Sequence, residues 1–97
     1  MTPVKRIEIV VGAVELDRVV AALEGVGVVG YTVIRNIDGR GERGERHGDE
    51  LSDAFRNAMI VLAVDPERAP QIVETVRPFL LRWGGICLLS DAMWVKH

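Results

Sequence analysis

Stretches with apolar residues at every second position take turns along this chain with stretches in which they recur at the helical period. Ile7, Ile9 and Val11 alternate with Arg6, Glu8 and Val10, which predicts a strand over residues 4–11. Leu16, Val19, Val20, Leu23 and Val26 fall on one face at helical spacing and predict an amphipathic helix over 15–26. Glu15 and Asp17 sit in its first turn, where the dipole favours acids, and Gly25 and Gly27 can end it. β-Branched residues and Tyr31 mark a second strand over 28–37, and a third follows over 58–64. Between them lies a long loop from Asp38 to about Asn57, in which residues 51–55 fit a helical turn. Structureless loops of that length are usually functional or disordered.

Asp65-Pro66-Glu67 starts a second helix, with an acid at the N-cap and proline at the first helical position. Pro70 leaves its first residue open. Ile72, Val73, Val76, Phe79 and Leu80 mark its buried face, and Pro78 predicts a kink because it removes an N–H. Trp83-Gly84-Gly85 ends it. A fourth strand over 86–89, a turn at Ser90-Asp91 and a short fifth strand over 92–95 complete the pattern.

This order is β-α-β, long loop, β-α-β. Two intercalated β-α-β units give an α+β, ferredoxin-like β-α-β-β-α-β sandwich with both helices on one face of the sheet. The third and fourth strands are apolar at consecutive positions, Met59 to Val64 and Ile86 to Leu89, and so expect burial on both faces. Helices can cover only one face, which predicts an oligomer. At 97 residues the chain is expected to be a single domain, residues 1–97, whose modest core gains from association.

Composition narrows the function. A net charge of −2 gives no electrostatic footprint for nucleic acid. No apolar run approaches a membrane span, and the N-terminus has no secretory apolar region, so the cytoplasm is the expected compartment. The single cysteine, Cys87, lies in an apolar run and reads as a buried structural residue. His47 and His97 are the only histidines and neither has a ligand cluster at metal spacing. No nucleophile–base pair is visible either: Ser52-Asp53 and Ser90-Asp91 lack a histidine partner. Trp83 and Trp94 read first as packing residues, though Trp83 adjoins a glycine pair that can border a ligand.

Most functional information sits in residues 39–48, a run of glycines and arginines. Glycine lets backbone N–H groups approach a ligand, and arginine offers fixed charge and a bidentate fork for phosphate or carboxylate. The same composition suits a solvated surface loop, because Glu42 and Glu45 nearly neutralise the arginines.

Gly27-Val28-Val29-Gly30-Tyr31-Thr32-Val33, followed by Gly39-Arg40-Gly41, resembles the second strand and loop entry of PII signalling proteins, G-V-x-G-x-T-V and then G-F/R-G-R-Q. Leu16 to Leu23 is similar to that family's first helix, and the element order matches from Val4 to about Asp91. The resemblance implies a homotrimer whose sheets line a central barrel, adenine nucleotides bound in clefts between subunits, and a T-loop, here about 39–57, that changes shape with the nucleotide and engages a protein target. By position, Gly30 and Thr32 correspond to the strand that contacts the adenine in that family, Gly39 and Gly41 to the turn at the T-loop base, and Arg43 stands near the arginine–glutamine pair that follows. Trp83, Gly84 and Gly85 occupy the place of the phosphate-cradling B-loop, T-G-x-x-G-D-G-K. Tyr31, Arg40, Arg46, Leu62, Arg82 and Lys96 complete the nucleotide-binding residues the resemblance implies.

The chain departs from the family where phosphate is held. The B-loop aspartate and lysine are missing, Ile86 following Gly85 directly, and residues 94–97 stand where arginines usually continue. Fewer charges favour ADP or AMP over ATP, with Arg82, Lys96 or a loop arginine on the phosphate. No tyrosine lies between Gly39 and Asn57, so uridylylation of a loop tyrosine is excluded. These departures resemble the divergent PII-like branch tied to bicarbonate transport and carboxysomes, whose ligands are AMP, ADP or cyclic AMP with bicarbonate as co-ligand. The expectation is therefore a PII-like regulator, not an enzyme, with no covalent cofactor and no metal. Its partner is an unidentified protein, with a bicarbonate transporter or carboxysome-linked protein the implied kind. An enzyme for a small molecule and a purely structural trimer are the alternatives this fold leaves open.

Overall fold

A computed structural model describes residues 1–38, 40–41, 44–45 and 56–97. Strand β1 (Thr2–Gly12), helix α1 (Leu16–Gly25) and strand β2 (Thr32–Ile37) come first. Two-residue strands β3 (Arg40–Gly41) and β4 (Gly44–Glu45) pair with each other. Strand β5 (Asn57–Val64), helix α2 (Ala69–Trp83) and strand β6 (Ile86–Trp94) follow. The main sheet has the order β2-β5-β1-β6 with every neighbouring pair antiparallel. β1 and β2 therefore run parallel with β5 between them, and β5 and β6 run parallel with β1 between them. Those are the two intercalated β-α-β units of the ferredoxin-like α+β fold.

Alternation in β1 decides which face is covered. Ile7 and Ile9 are fully buried, flanked in register by Leu62 and Ile60 on β5 and by Leu89 and Cys87 on β6. Leu16, Val19 and Leu23 of α1 and Ile72 and Val76 of α2 pack into the same cluster. Each such aliphatic side chain stabilises the fold by about 1.5–3 kcal/mol through burial. Helix α1 closes with Gly27 at φ +95, whose N–H donates to the Glu24 carbonyl at 3.0 Å while the Val28 N–H donates to Leu23 at 3.1 Å. The left-handed φ at Gly27 is what glycine is for.

Several boundaries differ from the sequence expectation. β2 begins at Thr32 rather than at residue 28, because the Val28 N–H is taken by the end of α1. The fourth and fifth strands are one strand, β6, and Ser90-Asp91 is not a turn: Asp91 lies opposite Lys5 in register and their side chains form an ion pair. Pro66–Arg68 form a single 3-10 turn before α2, and Pro70 stands in the first turn of α2, where a missing N–H leaves no helical bond unmade. α2 runs on through Pro78 to Trp83. The expected turn over 51–55 lies outside the described residues, and the stretch expected as one loop contains the β3–β4 ladder.

Among the described residues, no helix lies on the other face of the sheet. Residues of β1 at even positions share that face with Met59, Val61 and Ala63 of β5, Ile34 of β2, and Ile86, Leu88 and Trp94 of β6. Ile34, Ile86, Leu88 and Trp94 are exposed large hydrophobic residues. Arg6 and Glu8 are paired at 3.1 Å in their midst. A contiguous apolar surface of this kind marks a place of association.

At the far end of β6 from this Trp94, the backbone leaves no room for a side chain at residue 85. Gly85 has φ +118, and a Cβ there would stand 2.3 Å from the Val10 carbonyl oxygen. Gly85→Ala is expected to lower stability by about 3 kcal/mol through strain and overpacking, read as an earlier urea midpoint. An unchanged midpoint refutes the close approach.

Candidate functional site

The path from α1 to β2 creates a concavity. β5 and β2 pair as far as Thr32↔Val61, but β5 continues to Val64 while residues 27–31 pair with no strand. The two backbones separate and leave a cleft of about 640 Å³. Residues 27–32 form one wall and residues 61–65 the other, with Val4 and Arg6 of β1, Arg68, and Met93 and Trp94 of β6 also lining it. Val28 is buried, which roots the first wall in the core, while Val29 and Gly30 are exposed. An added Cβ at Gly30 meets nothing within 4 Å. The walls are mostly apolar with few charged groups, a lining suited to a flat, largely uncharged ring.

Gly30 and Thr32, expected on the strand that contacts adenine, and Tyr31 and Leu62, expected among the nucleotide-binding residues, all line this cleft. Leu62 does so from the core side, its side chain buried among the helices. Arg82, Trp83, Gly84 and Gly85 are elsewhere. They stand at the end of β6 that pairs Ile86 with Val10, whereas the cleft takes in the end that pairs Ala92 with Val4. Six residues of antiparallel strand separate those ends, about 20 Å. Ile37 at the end of β2 pairs with Asn57 and Asn57 with Gly12, so the entry to β3, with Arg40 and Gly41, belongs to the same far end. One chain thus carries two separate clusters of the expected site residues. Lys96 is exposed beyond β6 and is not among the residues lining the cleft. Gly39, Arg43 and Arg46 lie outside the described residues.

Trp83 is engaged within the chain: its ring stacks with Phe79 at 5.9 Å, and the guanidinium groups of Arg82 and Arg18 stand 4.7 and 5.4 Å from its centroid. Such contacts contribute roughly 0.5–1 kcal/mol each at exposed sites. Trp94, expected as a packing residue, is instead half exposed and lines the cleft. Arg68 was hidden in the sequence inside a helix-start signal, and only its position just after β5 hinted at the cleft. Cys87 is half-buried, and burial pushes its thiol up, with Arg77 pulling weakly the other way. Among the described residues no three of His, Cys, Asp and Glu gather as metal ligands, and no helix is long and apolar enough to cross a membrane.

In the cleft wall the Tyr31 hydroxyl donates to Glu24 Oε2 at 3.0 Å. That hydrogen bond, with smaller effects of burial and of the Glu24 charge, holds the phenol above its ordinary value of 10.0. A raised phenol favours the neutral form in the folded state. Its contribution to stability is therefore full below the unfolded value near 10 and is lost as pH rises through the folded value. Tyr31 is the only tyrosine, so alkaline absorbance titration reads it directly. Glu24→Ala is expected to bring the midpoint down toward 10.0; an unmoved midpoint places the cause elsewhere. Cys87, by the same logic, is expected to alkylate with a pH midpoint above 9.0.

Comparison with known proteins agrees with this architecture. The pattern of the nitrogen regulatory protein P-II family matches residues 4–97. The structure of CPII, a nitrogen regulatory PII-like protein from Thiomonas intermedia K12, bound to ADP, AMP and bicarbonate, is similar with a TM-score of 0.86 at 26% identity, covering 97% of this chain and 90% of that one. CPII bound to ADP and bicarbonate is similar with a TM-score of 0.84 at 29% identity over the same shares. The apo form of CPII gives a TM-score of 0.77 at 25% identity, covering 95% of this chain and 91% of that one. Comparison with curated proteins by sequence finds no match. With the ferredoxin-like sheet, the G-V-x-G-x-T-V wall and a family match over nearly its whole length, this chain belongs to the nitrogen regulatory protein P-II family.

Proposed function

We propose that this protein is a regulator, not a catalyst, that binds ADP or AMP in clefts between subunits of a homotrimer, with bicarbonate as a co-ligand. The observation that carries the reading is the cleft lined by Gly30, Tyr31, Thr32 and Leu62 in a chain similar to a CPII bound to ADP and bicarbonate. Separation of the two residue clusters supports a shared site. The cleft lies at one end of the sheet and Trp83–Gly85 with the entry to β3 at the other, so a single ligand touching both needs two copies of the chain. The apolar sheet face carrying Ile34, Ile86, Leu88 and Trp94 supplies a surface for that association.

In this reading the nucleotide acts on the segment 39–57, which leads out of β2 at the cluster that holds phosphate. Differential affinity for two states of that segment is what lets a ligand present or withhold a surface to a partner. The partner is a protein of inorganic-carbon metabolism in the cytoplasm, a bicarbonate transporter or a carboxysome-linked protein. With Ile86 directly after Gly85 in place of a lysine, the phosphate end lacks a cation there, which favours a mono- or diphosphate over a triphosphate.

Thermal unfolding with AMP, ADP, ATP and cyclic AMP, each with and without bicarbonate, tests the reading. A ligand at 100 times its dissociation constant is expected to stabilise by about 2.7 kcal/mol, with ADP or AMP ahead of ATP and a further rise on adding bicarbonate. No shift with any nucleotide defeats it. Gly30→Ala separates the site from the fold. The open space around Gly30 predicts a stability change within about 0.5 kcal/mol, together with weaker ADP binding if the base approaches that backbone. Sedimentation of Leu88→Lys is expected to show a smaller particle than the parent protein, since a charge there disfavours coverage of the apolar face.

A further inference from the structure

Arg68 joins the two walls of the cleft. The 3-10 turn Pro66–Arg68 follows β5 directly, and the Arg68 N–H donates to the Asp65 carbonyl at 2.9 Å. Arg68 therefore moves with the wall formed by residues 61–65. Its side chain reaches the opposite wall: Nη2 donates to the Val26 carbonyl at 2.5 Å, forty-two residues away in sequence. That carbonyl sits at the C-cap of α1, where a helix leaves acceptors unmet and its dipole end is negative. A guanidinium satisfies both conditions at once. The next residue is Gly27, and Nη2 lies 3.5 Å from where a Cβ on it would stand. The guanidinium packs on the bare α-carbon at the first residue of the wall.

We propose that Arg68 is the positioning residue of this cleft: it fixes residues 27–32 at a set distance from residues 61–65 by gripping the exit of α1. Three ties root the wall that carries Gly30 and Thr32. The buried Val28 side chain and the Val28 N–H to Leu23 hold it to the core and to α1, and Tyr31 to Glu24 holds it to α1 again. Arg68 relates its α1 end to the other wall, as the Thr32↔Val61 pairing does at its β2 end. Gln71 Oε1, 3.4 Å from Nη2, helps to orient the fork. Replacing Arg68 loosens the exit of α1 at Gly27 and Val28 and frees the spacing between the walls at that end. For ligand binding the inference rests on the nucleotide reading above; for wall geometry it does not.

Arg68→Met keeps the length of the side chain and removes its donors. Amide hydrogen exchange in the ligand-free protein is expected to quicken about tenfold at Gly27 and Val28, whose N–H groups donate to Glu24 and Leu23, and to stay unchanged at Ile7 and Ile9. Dilute guanidinium added to Arg68→Ala is expected to restore protection at those two amides, which a purely space-filling role would not allow. An even rise across the sheet, or no local rise, overturns the proposal. ADP titration is the second arm: affinity in Arg68→Met is expected to fall about tenfold with a small change in thermal midpoint. If the parent protein binds no nucleotide, the functional reading fails and the exchange result alone decides the role of Arg68.

Discussion

Strand β1 is hydrogen-bonded along both edges, and everything else in the molecule is placed from it. Because β5 and β6 both pair with it antiparallel, the parity of its residues sets the parity of theirs. Ile7 and Ile9 put Leu62, Ile60, Leu89 and Cys87 on one face; Glu8 and Val10 put Val61, Met59, Leu88 and Ile86 on the other. A slip of one residue would send the whole helix-facing core to the open side. The helices have a single face to cover, and Leu16, Val19, Leu23, Ile72 and Val76 meet it there.

The cleft arises where this regular pairing stops on one side only. β5 keeps its bonds to β1 as far as Val64, opposite Lys5, while its bonds to β2 end at Val61. The end of α1 takes the N–H groups of Gly27 and Val28, and residues 29–31, which stand between that end and Thr32, pair with no strand. The opening thus lies directly after the helix end that Gly27 closes at φ +95. Arg68 and Tyr31 hold the loosened wall from two sides.

The same strand lengths that form the sheet also keep the expected site residues apart. Gly85 packs against the Val10 end of β1, and Gly30 and Thr32 border the cleft that reaches its Val4 end. No side-chain motion within one chain closes about 20 Å of extended strand. The sheet face away from the helices exposes Ile34, Ile86, Leu88 and Trp94 around the Arg6–Glu8 pair.

By itself, the amino-acid sequence determined the element order, the ferredoxin-like class, the apolar character of both sheet faces and the wall residues Gly30, Tyr31 and Thr32. Those are properties of periodicity and of short motifs, which local residues carry in full. Tertiary structure decided what local signals could not. Ser90-Asp91 has turn chemistry, yet a cross-strand partner at Lys5 keeps it extended. Trp94 and Arg68 looked like a packing residue and part of a helix start, and only the register of β6 and the turn after β5 bring them to the cleft. Contacts between residues dozens of positions apart decide these cases, and no window along the chain contains both partners.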